Sequence, residues 1–162
     1  MSDPNAQSLF RLRVRYRKTG RLAYLGHLEV IHTIERIVRR AGLPYAVTQG
    51  FSPHMRVGFS SALPVGTSST CEWYDLFLTD LVPAPEAFRR LLAASPVDLA
   101  PDLAAYIDVK APALTAQITR CAYRVVLHMA SGYESCGESI SVHIDELLAE
   151  GPIEYQRGRK FK

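Results

Sequence analysis

An α+β fold is what this sequence predicts, and three patterns predict it. Phe10, Leu12, Val14 and Tyr16 alternate with Arg11, Arg13, Arg15 and Arg17, the period of two that belongs to a half-buried strand. Val30, Ile31, Ile34, Ile37, Val38 and Ala41 fall at three- and four-residue spacings, the stripe of an amphipathic helix. Further along, short apolar runs bounded by Gly, Pro and Ser are interrupted by a second helical stretch.

The elements follow in order. In the first strand one face enters the core and the other carries four guanidiniums; Lys18-Thr19-Gly20 makes a turn and Arg21 extends the basic neighbourhood. A helix from His27 to Ala41 is closed by Gly42 and cannot pass Pro44. Arg36, Arg39 and Arg40 lie in its last turns, where the helix dipole favours cations, so they have a structural reason to be there as well as a binding one. Tyr45 to Val47 reads as a short strand, 49–56 as a loop, Val57 to Leu63 as a strand and 64–69 as another loop. Glu72 to Thr79 is a strand with Trp73, Asp75 and Phe77 on one side and Tyr74, Leu76 and Leu78 on the other, which suits a central position. Pro83 and Pro85 open a helix through Glu86, Phe88, Leu91 and Leu92 that ends before Pro96, and Leu103 to Lys110 is the next strand.

Strand, helix, strand, strand, helix, strand is the ferredoxin-like βαββαβ arrangement, an antiparallel sheet with helices on one face and the other face available. After Ala111-Pro112-Ala113 come a strand from Ile118 to His128, a helical stripe at Ile140, Ile144, Leu147 and Leu148, and a strand from Ile153 to Gln156, the first half of the same order again. The predicted domains are therefore a ferredoxin-like basic domain over 9–110 and a partial second ferredoxin-like unit over 115–162, truncated or completed by another chain.

Composition narrows the function. Residues 1–70 hold ten Arg or Lys against three acids, +7, and residues 71–162 hold nine against thirteen, −4. That asymmetry predicts an anionic partner for the first half, nucleic acid being the commonest, although a solvated basic face would carry the same charge. No apolar stretch is long enough to cross a bilayer and the N-terminal residues are polar, so a cytoplasmic protein with no membrane partner is expected. Cys71, Cys121 and Cys136 are widely spaced bystander thiols, and the histidines show no ligand spacing; neither a metal nor a cofactor is expected. Oligomeric state is not legible.

Three features of the basic half could carry chemistry. Gly26-His27-Leu28-Glu29 opens the first helix, whose free amides favour an anion. The loop containing Gly50, Ser52, His54 and Arg56 combines a permissive glycine with the stiff Pro53. The turn containing Gly66, Thr67 and Ser68 offers amides and hydroxyls of the kind that cradle phosphates. His27 and His54 could serve as acid and base on a phosphodiester, or could cap the helix and order the loop.

Phe10 to Val14, Gly26-His27-Leu28, Arg39-Arg40-Ala41-Gly42-Leu43-Pro44, Gln49-Gly50-Phe51-Ser52-Pro53-His54 and Leu63-Pro64-Val65-Gly66-Thr67-Ser68-Ser69, in that order, resemble the radical SAM-linked protein family over roughly residues 9–80. Members of that family occur alone or joined to a cobalamin-binding radical SAM protein, so the resemblance implies a radical SAM protein as partner. The G-H-L and G-F-S-P-H elements are more distantly similar to CRISPR repeat-processing endoribonucleases, which bind RNA on basic surfaces and end in a glycine-rich loop that this sequence lacks. The function expected is an RNA-binding accessory module of a radical SAM RNA-modification system, presenting ribosomal or transfer RNA through Arg11, Arg13, Arg15, Arg17, Arg39 and Arg56. The alternatives are a metal-independent ribonuclease using His27 and His54, and a module that docks an acidic protein.

Overall fold

The period-two run becomes β1 (Phe10–Lys18) in the computed structural model, which describes residues 8–126 and 136–151. Leu12, Val14 and Tyr16 are buried on one of its faces, as the alternation requires. The helical stripe becomes α1 (His27–Arg40), which buries Val30, Ile34, Ile37 and Val38. Then come β2 (Val57–Phe59), β3 (Ser69–Leu78), α2 (Ala84–Ala94) and β4 (Pro101–Ile107). The strands lie in the order β2-β3-β1-β4, with each neighbouring pair antiparallel. This is the α+β fold of the prediction, with β1 and β3 in the middle of the sheet.

Burial of one sheet face holds the layers together. Leu12, Val14, Leu76 and Leu78 pack with Ile34, Ile37 and Val38 of α1 and with Ala87 and Leu91 of α2. Each fully buried Leu or Ile contributes about 1.5–3 kcal/mol. Two glycines permit turns that other residues would strain. Gly42, at φ +63°, ends α1; Gly20, at φ +52°, starts a 3-10 turn (Gly20–Tyr24), and a Cβ there would lie 2.5 Å from an Asp98 carboxylate oxygen.

Several elements differ from the prediction. Tyr45 and Val47 form isolated bridges, to Leu78 and Met55, in place of a strand. β2 stops at Phe59 rather than Leu63, because after the Ser60 amide bonds to the Trp73 carbonyl the chain bends away from the ladder. Residues 118–126 have no regular secondary structure, against the predicted strand over 118–128; an extended segment needs a neighbour to pair with, and none of the described strands pairs with it. The remainder of that segment and the predicted strand 153–156 lie outside the described residues.

Nor is the segment after β4 a free linker. Residues 109–117 cross the sheet face opposite the helices, ending in a short helix, α3 (Leu114–Gln117), which packs on β2 and β3 with Leu114 buried. The chain divides into two compact units at Cys121, so this crossing segment belongs to the first. The second contains α4 (Cys136–Ala149), which carries the predicted stripe of Ile140, Ile144, Leu147 and Leu148. Among the described residues no helix is long and apolar enough to cross a membrane.

Two core tyrosines set an alkaline limit. Burial raises the pKa of Tyr16 and Tyr74 far above the ordinary tyrosine value. The unfolded chain therefore releases these protons near pH ~10 while the folded one retains them, and stability falls as pH rises beyond that point. Thermal melts between pH 9 and 11 should show this fall, and Tyr74→Phe should make it shallower.

Candidate nucleic-acid interface

Register decides what the four predicted guanidiniums of β1 can do. Arg11, Arg13 and Arg15 stand opposite Phe77, Asp75 and Trp73 of β3, and opposite Ile107, Ala105 and Leu103 of β4. Asp75 is buried between two of them. Arg13 grips it bidentately, Nε to Oδ1 at 2.7 Å and Nη2 to Oδ2 at 2.9 Å. Arg11 donates Nε and Nη2 to Oδ2 at 3.1 and 2.7 Å. Its remaining donors reach the carbonyls of Val109, Ala111 and Pro112. A guanidinium has five N–H groups, and all five of Arg11's are engaged. Arg11 is also 5% exposed. It is a structural staple, with no donor left for the phosphate contact the sequence predicts.

The other arginines separate into two surfaces. Arg13 gives one more bond, to Gln117 Oε1 at 2.6 Å, and its hydrogen bonds to Asp75 raise an already high pKa, so it stays charged. Arg15 pairs with Asp102 at 2.7 Å and its guanidinium lies 5.7 Å from the Trp73 ring centre; Arg56 lies 4.5 Å from that of Phe77. Arg17 and Arg56 are exposed and have no carboxylate partner among the described residues. Arg11, Arg13, Arg15, Arg17 and Arg56 against Asp75 and Asp102 leave this face at +3. Arg39 is on α1, beyond the opposite face of the sheet, bonded to Glu35 at 3.5 Å. The six predicted contacts thus do not form one surface.

The predicted anion loops are partly satisfied from within. Glu29 Oε2 accepts the Gly26 amide at 2.7 Å, so the start of α1 already has a carboxylate beside it. The Gly66 amide donates to the Ala23 carbonyl at 3.0 Å, docking the turn that carries Thr67 and Ser68 onto the 3-10 turn. In the loop of Gly50 and Ser52, the His54 amide donates to Thr48 Oγ1 at 3.0 Å and the Thr48 amide to the His54 carbonyl at 2.8 Å, closing a tip on which Phe51 is fully exposed.

The two histidines do not meet. His27 packs edge-on against Phe59, ring centres 5.9 Å apart, and His54 is five residues of extended chain earlier, about 16 Å at about 3.3 Å per residue. Acid–base catalysis by a pair requires both groups within hydrogen-bond reach of one substrate, and the cleft that His27 lines does not include His54. Among the described residues no group of three or more His, Cys, Asp or Glu is placed to hold a metal ion.

Sequence reasoning missed Lys18 and Asp75. Lys18 is 2% exposed, bonds to the Ala23 carbonyl at 2.8 Å, and has its pKa lowered by burial, an effect partly offset by Glu72. Parity could have found it, since the alternation that faces Arg17 outward faces Lys18 inward.

A family model described as an uncharacterized protein conserved in bacteria (DUF2344) matches residues 11–162. No curated protein and no solved structure matches the chain. The match fixes a family and says nothing of a radical SAM partner or a repeat-processing nuclease.

Two outcomes follow from the geometry. Asp75→Asn should lose about 3–5 kcal/mol in urea unfolding, because it strands a buried guanidinium, whereas Arg15→Ala, at a half-exposed pair, should lose less than about 1 kcal/mol. Labelled RNA incubated in EDTA with the wild type or with His54→Ala should remain equally intact.

Proposed function

The chain belongs to this bacterial protein family, DUF2344, and we propose that its first unit is an RNA-binding module whose contact surface is the part of the sheet face opposite α1 and α2 that residues 109–117 leave uncovered. The observation that carries the reading is the interleaving of guanidiniums and rings on that face, Arg15 with Trp73 and Arg56 with Phe77, beside the exposed Arg17. Single-stranded RNA is commonly held on such a sheet by stacking bases on aromatic rings while arginines meet the phosphates. The phosphate contacts assigned are Arg13, Arg15, Arg17 and Arg56; Trp73 is the stacking platform. The resemblance to radical SAM-linked proteins supplies the proposed setting, an accessory role that presents ribosomal or transfer RNA to a radical SAM enzyme.

Filter binding of total cellular RNA across a salt series tests the reading. Retention should weaken steeply with salt, and the double variant Arg17→Ala/Arg56→Ala should lower the log–log salt slope by about 0.7 per contact removed. Trp73→Ala should cost about 1–3 kcal/mol per stacked base. No retention at low salt would sink the proposal, and partners that survive nuclease treatment without any RNA binding would favour a protein-docking role instead.

A further inference from the structure

Residues 36–71 contain no Asp or Glu, and from the middle of that stretch a hairpin, residues 46–56, extends beside the start of β2 and the end of β3. Its two arms are tied together. The Arg56 amide donates to the Ala46 carbonyl and the Thr48 amide to the His54 carbonyl, both at 2.8 Å; Val47 bridges Met55, and the His54 amide donates to Thr48 Oγ1 at 3.0 Å. Only 49–53 remain as the tip, with Phe51 at its centre, fully exposed and in ring contact with none of the described residues.

Parity sets what lies around the ring. Met55 is buried, so His54 and Arg56 face the other way, toward the side of the sheet that carries the arginines; Arg56 accordingly lies over Phe77, which stands opposite Arg11. A phenyl ring held in water on a braced loop works against the hydrophobic effect and adds nothing to the core, so its placement is explained by what it meets. Val47 is the other large apolar side chain exposed on this hairpin, and it bridges Met55 on the opposite side from Arg56. The ring is therefore set among exposed Gln49, Ser52 and His54 rather than in the apolar patch that anchors a protein interface. An aromatic ring beside cationic and hydrogen-bonding groups, with no carboxylate in the stretch, suits a nucleobase and its phosphate.

We propose that Phe51 stacks on an unpaired base of the RNA while Arg56 meets a nearby phosphate, which makes the ligand of the first unit a single strand or the single-stranded part of a folded RNA. The inference rests on the RNA-binding reading and deepens it: Trp73 is one platform within the sheet and Phe51 a second beyond its edge. Arg56 is five residues from Phe51, at most about 16 Å of chain at about 3.3 Å per residue, and a polynucleotide can bridge sites that do not converge on one point. Bases in a duplex are stacked on both faces already and offer none to a loop tip.

Fluorescence anisotropy of the full chain with a labelled oligoadenylate, and with a duplex of equal length, tests this. Phe51→Ala should bind the single strand about 5- to 150-fold more weakly, the loss expected of one base–aromatic stack, and bind the duplex as the wild type does. Phe51→Trp should bind at least as tightly as the wild type; Phe51→Leu, apolar but ringless, should be as weak as Phe51→Ala. Because the ring lies outside the core, all three should melt with the wild type. Wild-type affinity in Phe51→Ala overturns the inference, and weakened binding in Trp73→Ala beside it would leave the RNA-binding reading standing. Wild-type affinity in Phe51→Leu, or an equal loss for the duplex, overturns it too. A wild type that binds neither RNA overturns both. A nuclease-resistant protein partner lost in Phe51→Ala, with RNA affinity unchanged, would give the ring to a protein contact and overturn the stacking role.

Discussion

One carboxylate organises the middle of this sheet. Asp75 sits on a central strand between Arg11 and Arg13 of the other, and three long polar side chains occupy a face that would otherwise require apolar cover. Pairing two guanidiniums with one carboxylate leaves a unit of positive charge in place, so the cluster supports the strand pair and keeps the face cationic. Through Arg11 the same cluster also fixes the backbone after β4, which is why residues 109–117 lie on the sheet rather than leading away from it.

That arrangement changes what a run of alternating arginines means. Four guanidiniums in sequence suggest four equivalent contacts, but burial and pairing grade them from Arg11, wholly consumed, through Arg13 and Arg15, paired yet partly accessible, to Arg17, exposed. Only the latter part of the series can meet an external anion. Arg56, distant in sequence, joins it because β2 lies beside β3 and brings its guanidinium over Phe77.

Strong periodicity made much of the fold legible. β1 and α1 are read within a residue or two because each buries a long, regular apolar set, and burial is the term that decides both. The short elements were less legible: Tyr45 to Val47 has too few residues for a period to emerge, and whether it becomes a strand depends on what Leu78 and Met55 offer it. Residues 118–126 show the converse, an apolar pattern without a paired strand among those described. For the candidate sites, a cross-strand partner such as Asp75 cannot be assigned before the register is known, and the separation of Arg39 from the β1 arginines requires knowing which sheet face α1 covers.

The position of Arg39 has a consequence for behaviour in solution. Thr33, Arg36, Arg39 and Arg40 line an open hollow on α1, so the first unit carries cationic surface on both sides of its sheet. A polyanion lying on one side leaves the other unneutralised and able to take hold of a second chain. On the proposed RNA-binding reading such a molecule would act as a divalent crosslinker: mixed with long nucleic acid near charge balance in low salt it would build networks and turn the solution turbid, and an excess of either component, or added salt, would clear it again.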